Sequence, residues 1–452
     1  MFTHSALKHR DHTILSLDPM YSPLHNKIGK LVSNRSRRYA IVSCLAKSVY
    51  LKDYRIFLAT RMMRNNSEPI SASLLEKMKV LQTHHHVVQR KHLGKELTQS
   101  ELKYMARYYL TIRQFIQQKG VDLVIVHNDT RWYHAIAILL CKEMNLHYLV
   151  TEQGLIRPHT TVIDPYGVNG FSRLAKQDIS HLLVEQHNRY KVKANDLKGR
   201  HDSLLAMFFF FLFLAIFTVE RWSGAKTIIR YMHNSYRLDK YWQRLVYRLN
   251  HRPKVSIDKN VRLEKLAQSA LFLMQLENDS QLLLHSEFSY NQPLIDRLAE
   301  QCGKVGLLLA IKKHPLDFNT YHLPSNAYFI DGHIAQLARK SQCVVSVNSS
   351  SVIEVFSTSI PVYLLGRSVY AHRGVAEFCI LDDLAKKIKK QEEPMDVSGR
   401  GQFLDYLKNS YLLHGAGYQI QTNAVADKLN QLLPEYVTVD YNEVTNTVKA
   451  RQ

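Results

Sequence analysis

The chain has 452 residues with 60 Lys and Arg against 39 Asp and Glu, a formal charge of +21. Hydrophobic residues at 46% and charged residues at 22% exclude a largely disordered chain, and 17 Gly with 12 Pro exclude collagen-like or low-complexity sequence. That length predicts two domains, each with its own core. The positive charge calls for an anionic partner such as nucleic acid, phospholipid headgroups or a nucleotide-linked substrate. The five scattered cysteines make no CxxC spacing, and the first twelve residues lack the apolar core of a signal peptide, so the expectation is a reducing, cytoplasmic setting.

In chain order, DHTILSLDP and YRIFLAT read as strands, SASLLEKMKV and residues 101–118 as helices, and VDLVIVHND as a further strand. YHAIAILLCKEMN is the helix that follows, and HYLVTEQG the next short β-rich run. This βαβ order predicts a parallel sheet covered by helices. The histidines at 84–86 are expected in a solvated loop, because adjacent histidines rarely converge on one metal ion.

After Pro253 the alternation resumes. ALFLMQLE, VGLLLAIKKHP, CVVSV and IPVYLLG read as strands, with PLIDRLAEQC and QLARKSQ as helices and SSSVIEVFS turning into another. The predicted fold class is α/β, two doubly wound domains facing a cleft in a GT-B-like arrangement, an architecture that other two-domain α/β enzymes share. The expected boundaries are an N-terminal α/β domain over 1–187, a basic apolar insert over 188–254, a C-terminal α/β domain over 255–435 and a tail over 436–452.

The insert carries 14 Lys and Arg against 4 Asp and Glu and encloses SLLAMFFFFLFLAIFTV at 203–219. Seventeen uncharged residues lie at the lower limit of a membrane span. A true span would put the two sheets on opposite sides of a bilayer. A re-entrant or in-plane helix fits the flanking Arg200, Arg221, Trp222, Lys226 and Arg230, and a buried core or oligomer-interface helix is the remaining reading. The expected location is cytoplasmic, peripheral to the inner membrane.

Four polar segments carry the candidate chemistry. TEQGLIRPHTTVIDPYGVNG places Glu152, Arg157, Asp164 and Asn169 in a loop region after a strand. There a carboxylate could act as general acid and an arginine could pair with a carboxylate or phosphate, while the Gly and Pro residues equally read as turn punctuation. In FLMQLENDSQLLLHS, Gln275 and Asp279 are four apart; Asp279 could be a base or nucleophile, or a helix cap. Lys312, Lys313, His314 and Pro315 end an apolar strand in a manner suited to a nucleotide phosphate. Ser349, Ser350 and Ser351 sit where a strand turns into a helix, suiting either a phosphate or a simple N-cap.

Together and in this order, these segments resemble the E-x-G-x-x-R-P…G-V-N-G, Q-x-x-x-D, H-P and serine-pair motifs of the bacterial capsule-polysaccharide β-Kdo transferases, over roughly residues 120–375. The resemblance implies a GT-B fold and a glycosyltransferase that moves Kdo from CMP-Kdo, with retention, to a lipid-linked saccharide or phospholipid acceptor in capsule biosynthesis. It implies Asp279 at the anomeric carbon and Glu152 as acid/base partner. His314, Ser349 and Ser350 would hold CMP with Pro315, Lys312, Lys313 and Gln275, leaving Arg157, Asp164 and Asn169 for the acceptor or sugar. No cofactor and no metal is expected, since these strand ends offer no DxD or His/carboxylate cluster. A transferase of a different nucleotide-sugar, and a non-catalytic membrane-docked capsule assembly or export protein, are the alternatives. Capsule assembly proteins are further possible partners. A nucleic-acid partner is not expected, because the basic residues cluster around phenylalanines and not in a recognisable binding module.

Overall fold

The computed structural model describes residues 12–19, 22–157, 159–176, 179, 203–223, 264–390 and 397–432. The first lobe is built on β1 (Ile14–Leu17), β2 (Arg38–Val42), β3 (Arg55–Leu58), β4 (Leu123–His127), β5 (His147–Gln153) and β6 (Thr160–Asp164). The second is built on β7 (Ser269–Leu273), β8 (Leu308–Lys312), β9 (Ala327–Phe329), β10 (Cys343–Ser346), β11 (Val362–Leu364) and β12 (Glu377–Phe378). A last strand, β13 (Leu413–His414), returns to the first sheet.

The first sheet runs β13-β6-β5-β4-β1-β2-β3, with β1 to β5 parallel and β6 and β13 antiparallel at one edge. The second runs β12-β11-β10-β7-β8-β9 and is parallel throughout. The central strands are continuous apolar runs because helices cover both faces: Leu123–Val126 of β4 and Ala270–Phe272 of β7 are fully buried. Chain order reverses between β1 and β4 in one sheet and between β7 and β10 in the other. Those switch points leave a crevice beyond the carboxyl ends of the strands, where ligands of doubly wound folds bind. The expected pair of doubly wound α/β lobes in a GT-B-like arrangement is therefore present.

The helices that matter for the site are α1 (Leu24–Val32), α2 (His84–Leu93), α3 (Gln99–Lys119), α4 (Trp132–Glu143), α5 (Ser203–Trp222), α6 (Ser280–His285), α7 (Asn291–Gly303) and α8 (Thr422–Leu432). Helix α3 begins at a capping box, in which Thr98 and Glu101 satisfy each other's backbone N–H, and ends at Gly120 in the left-handed region (φ 59°). The sequence reading of 101–118 thus falls inside a slightly longer helix.

Three features depart from the sequence reading. The histidine tract is not a solvated loop: Thr83 caps α2, and His86 is buried with its Nε2 2.9 Å from the Met78 carbonyl oxygen. Helix α2 also crosses to the second lobe. Val87 lies in that lobe's core, and Lys91 Nζ donates to the Ser286 carbonyl at 2.7 Å. Second, the domain expected over 255–435 gives up its end, since β13 pairs with β6 and α8 packs on α1. Third, the segment after the serines is a 3-10 helix, Ser350–Ser357, so its amides do not add into a long helix dipole.

Helix α5 resolves two of the readings for the insert into two faces. Phe213 and Phe217 are 0% and 2% exposed, packed with Leu214 against Cys44, Ala46 and Tyr50. Glu220 accepts the backbone N–H groups of Leu45 and Ala46 at 2.6 and 2.9 Å. The opposite face is bare: Leu204, Met207, Phe208 and Phe211 recur at helical spacing, with Phe208 61% and Phe211 59% exposed. By length and composition α5 is apolar enough to cross a membrane, yet one face is docked on a folded lobe. The basic stretch at 224–254 and the tail at 436–452 lie outside the described residues.

The two faces should respond differently to mutation. Phe213→Ser with Phe217→Ser should cost several kcal/mol, as truncating a buried Phe costs about 3–5 kcal/mol, and lower Tm sharply. Phe208→Ser with Phe211→Ser should leave Tm nearly unchanged. Thermal unfolding of the two double variants checks this.

Candidate functional site

A cavity of about 330 Å3 lies at the switch point of the second sheet. Its floor is Leu273 and Met274 at the end of β7; one wall is Lys312–Pro315 after β8, another Ser349–Ser351 after β10. The first lobe closes it with Leu155–Arg157, from the loop that follows β5. Eight residues singled out from sequence, Arg157, Lys312, Lys313, His314, Pro315, Ser349, Ser350 and Ser351, therefore line one space, with Glu354 beside them, although they come from three segments and both lobes.

The polar groups around it are unequal. Lys312 Nζ is held by Asp331 at 2.8 Å, and Lys313 Nζ donates to the Asn319 carbonyl while lying 5.3 Å from the Tyr321 ring centroid. The Arg157 guanidinium is exposed and has no carboxylate partner among the described residues. His314 Nδ1 accepts the Leu316 N–H at 3.1 Å, which leaves the proton of the neutral ring on Nε2. Burial lowers the His314 pKa; Asp279 and Asp317 oppose that, and Arg157 adds to it. Asp279 and Arg157 thus both act on this ring. Ser349 caps the 3-10 helix by accepting the Ser351 N–H at 3.2 Å, while the Ser350 hydroxyl makes no hydrogen bond among the described residues.

Asp279 is the N-cap of α6, accepting the Gln281 N–H at 2.9 Å, and remains half-buried. The cap uses one carboxylate oxygen; Asp279 does not itself line the cavity, though its charge acts on the His314 ring in the wall. Gln275 is buried and pairs reciprocally with Asn348: Nε2 donates to Asn348 Oδ1, and Oε1 accepts the Asn348 N–H, both at 2.9 Å. It locks the ends of β7 and β10 together and does not line the cavity.

Glu152 belongs to the switch point of the first sheet. Its Oε2 accepts the Asn128 side-chain N–H at 2.5 Å and its Oε1 lies 4.0 Å from His127 Nε2. Behind it, Thr151 Oγ1 lies 3.1 Å from His127 Nδ1 and 3.2 Å from His25 Nε2. Burial pushes the His25 pKa down to about 3 and the His127 pKa well down, so both rings are neutral near pH 7. Asn128 stands in the left-handed region (φ 69°) and its Oδ1 accepts the Thr130 N–H at 2.7 Å. The Thr130 carbonyl accepts the His84 N–H at 2.8 Å, and the His84 ring in turn feels the Asn278 backbone and the Asp279 charge. Hydrogen bonds therefore run from Glu152 through Asn128 and Thr130 to the start of α2.

The GVNG turn is a scaffold. Asp164 is buried, with Oδ1 accepting the Tyr166 and Gly167 N–H groups at 2.7 and 3.1 Å and Oδ2 accepting the Tyr411 hydroxyl at 3.1 Å. Its lone pairs are spent on the loop, which corrects the expectation that Asp164 faces a sugar. Gly170 presses against His285 of the second lobe, and a Cβ there would fall 2.6 Å from His285 Nδ1. Asn169 occupies the left-handed position just before it (φ 50°).

The sequence reading passed over His127, Asn128 and Asp129, although a polar triplet directly after an apolar strand at a switch point was the available signal. Asp129 is buried; Oδ2 accepts the Val168 N–H at 2.7 Å, and Oδ1 has no partner among the described residues. Burial lifts its pKa to about 7, opposed by the Val168 N–H and reinforced by Glu152. Among the described residues, no group of three His, Cys, Asp or Glu is placed to hold a metal ion.

Two α/β lobes whose strand ends share a cavity lined by Arg157, Lys312, Lys313, His314, three serines and Glu354 define a two-domain α/β protein with an inter-lobe cavity. The sequence model of the family described as "Capsule polysaccharide biosynthesis protein" matches residues 122–418, well over half of the chain, and the chain belongs to that family. It is 25% identical over 295 residues to the capsule polysaccharide modification protein LipB of Neisseria meningitidis serogroup A, covering 59% of this chain and 68% of that protein. It is 22% identical over 313 residues to the capsule polysaccharide export protein KpsS of Escherichia coli, covering 60% and 76%. Among solved structures, the β-Kdo 2,7 transferase of Thermosulfurimonas dismutans KpsC matches with TM-score 0.35 and 14% identity over 77% of this chain and 96% of that one.

The buried Asp129 makes stability depend on pH. Its pKa is raised from the usual carboxylate value to about 7, so the unfolded chain releases this proton at lower pH than the folded one. The stability contributed by the neutral carboxyl is complete below about pH 4 and is lost as pH rises through about 7. Asp129→Asn, which keeps the acceptor for Val168, should therefore gain stability relative to the parent as pH is raised from 4 to 7. Tm measured across that range for both proteins checks the sign.

Proposed function

We propose that the protein is a glycosyltransferase of capsule biosynthesis that takes a Kdo residue from CMP-Kdo and passes it, with retention, to a lipid-linked saccharide or phospholipid acceptor. The observation that carries this reading is the convergence of Arg157, Lys312, Lys313, His314, Pro315, Ser349 and Ser350 on one cavity at the switch point of the second sheet. Cationic and hydroxyl donors at a strand-end crevice suit the single phosphate and ribose of CMP. Transfer without a metal is the reading adopted, because no group of three His, Cys, Asp or Glu among the described residues is placed to hold one.

In this mechanism Asp279 attacks the anomeric carbon as the bond to the CMP phosphate oxygen breaks, and the electron pair leaves with CMP. His314 Nε2–H and Arg157 meet the charge that gathers on that phosphate. The acceptor hydroxyl then displaces Asp279 while a carboxylate takes its proton, so two inversions give net retention. Glu152 is assigned that role from the first lobe. The N-cap hydrogen bond on one Asp279 oxygen supports the assignment, since it orients the carboxylate while the other oxygen makes no hydrogen bond among the described residues.

Asp279→Asn should abolish turnover and leave CMP affinity within a few-fold. His314→Ala should weaken CMP binding by roughly 1.5–3 kcal/mol, the usual cost of losing a hydrogen bond to a charged group. Product mass spectrometry and CMP titration measure the two, and activity should survive EDTA. Transfer by Asp279→Asn at the parent rate would remove Asp279 from the chemistry.

The bare face of α5 is assigned to the membrane surface that presents the acceptor, because several Phe and Leu side chains in water are costly at about 1.5–3 kcal/mol each. The protein should float with anionic liposomes, and Phe208→Ser with Phe211→Ser should abolish flotation at unchanged Tm. Unchanged flotation by that variant would contradict the assignment.

A further inference from the structure

The switch point of the first sheet carries a series of polar side chains that takes no part in the inter-lobe cavity. Ser16 of β1, His25 of α1, Thr151 of β5 and His127 at the end of β4 follow one another through hydrogen bonds and end beside Glu152. Ser16, His25 and Thr151 are buried, while His127 and Glu152 are half-buried.

The contacts in this series fix its protons. The Thr151 hydroxyl has three neighbours: the Val126 carbonyl at 3.2 Å, His25 Nε2 at 3.2 Å and His127 Nδ1 at 3.1 Å. A hydroxyl has one proton and two lone pairs, and a carbonyl oxygen only accepts. One assignment puts a proton in every contact: Thr151 donates to Val126, and both ring nitrogens donate to Thr151. Every other assignment leaves two lone pairs facing each other. His25 Nδ1 then accepts the Ser16 hydroxyl at 2.7 Å. Burial holds the His25 pKa at about 3 against the pull of Asp18, and burial with Arg131, His25, His134 and Lys47 holds His127 well below the usual histidine value. Both rings are therefore neutral, and His127, with its proton on Nδ1, has a bare lone pair on Nε2.

That lone pair faces Glu152. Glu152 Oε2 accepts the Asn128 side-chain N–H, and Oε1 accepts the Gln153 N–H at 2.9 Å. Both partners are donors, which suits an ionised carboxylate; a carboxylate that has taken up a proton also needs an acceptor for its O–H. Asn128 does not offer one, since its Oδ1 already accepts the Thr130 N–H and hydroxyl at 2.7 and 2.6 Å. His127 Nε2 lies 4.0 Å from Glu152 Oε1, too far for a hydrogen bond and consistent with two lone pairs that have no proton between them. A proton on Oε1 converts this gap into an O–H···N contact.

We propose that His127 is a positioning residue for the proton-accepting carboxylate, its Nε2 receiving the O–H that Glu152 acquires from the attacking hydroxyl. The proposal rests on the glycosyltransfer reading and on Glu152 as its base. As the acceptor oxygen bonds to the anomeric carbon, the bond to Asp279 breaks and its electron pair returns to the Asp279 carboxylate. The hydroxyl proton passes to Glu152 Oε1, the new O–H donates to His127 Nε2, and the proton leaves to solvent from the exposed edge of Glu152 before the next turnover. Ser16, His25 and Thr151 hold the ring in the one tautomer that can accept.

Two variants of the full chain separate this role from a structural one, with CMP-Kdo as donor and vesicles of phosphatidylethanolamine and phosphatidylglycerol as the acceptor source. His127→Asn keeps a donor for Thr151 at the Nδ1 position and removes the acceptor at Nε2. His127→Gln keeps an acceptor at the Nε2 position and removes the donor. His127→Asn should hold the parent Tm and the parent KM for CMP-Kdo but lose about tenfold or more in kcat, a fraction of what positioned proton transfer usually contributes. Its Asp279 peptide should carry Kdo during turnover to a greater extent than the parent's, because only the second displacement is slowed. His127→Gln should lower Tm and restore most of the kcat. The reverse pattern, turnover kept by His127→Asn and lost by His127→Gln, would make His127 structural and overturn the proposal, as would equal turnover by the two. Parent-like turnover by His127→Asn beside an inactive Glu152→Gln would overturn this proposal alone. Glu152→Gln at the parent rate would instead defeat the base assignment, and absence of Kdo transfer by the parent the glycosyltransfer reading; each takes this proposal with it.

Discussion

The docking of the two lobes across their strand ends is the contact on which the candidate chemistry depends. Each sheet brings half a site to its carboxyl edge, and neither half is complete. Helix α2 ties them by burying Val87 in the second core and fastening Lys91 to the Ser286 carbonyl. The GVNG turn adds a second tie, because Gly170 admits the His285 ring where any side chain would collide with it. With both ties in place, Arg157 of the first lobe and Lys312–Pro315 of the second face the same cavity.

Electrostatics then divide the labour between the edges. At the first switch point, histidines are buried neutral and carboxylates are close together: His25 and His127 are depressed by burial, while Asp129 is raised by burial and by Glu152. At the second, Arg157, Lys312 and Lys313 outnumber the one carboxylate in the cavity wall, Glu354. A bond that breaks to leave negative charge on a phosphate is best placed against the cationic edge, and a proton is best accepted at the carboxylate edge. The separation follows from which strands carry which end residues, not from long-range design of the fold.

The strands were legible because their burial on both faces leaves uninterrupted apolar runs, as in LVIV and ALFL. The cavity was legible because its residues sit immediately after such runs. What sequence could not convey was long-range pairing. Nothing local in Leu413–His414 says that it joins β6, and nothing in HHHVVQRKHL says that one end of the helix faces the Thr130 carbonyl while the other fastens to the opposite lobe. Asp164 and Gln275 looked like ligand-facing groups because polar residues in a loop motif read the same whether they bind a ligand or the loop itself. Only their burial and saturated hydrogen bonds distinguish the two. Helix α5 was ambiguous for a related reason, since a sequence apolar on every side does not reveal which face a folded lobe covers.

Photo-crosslinking with an azido derivative of CMP, followed by peptide mass spectrometry, tests most directly whether the inter-lobe cavity is the nucleotide site. The account predicts label on peptides containing residues 155–157, 312–315 and 349–354, lost on competition with CMP. Labelling confined to other peptides, or label in these that CMP does not displace, would contradict it.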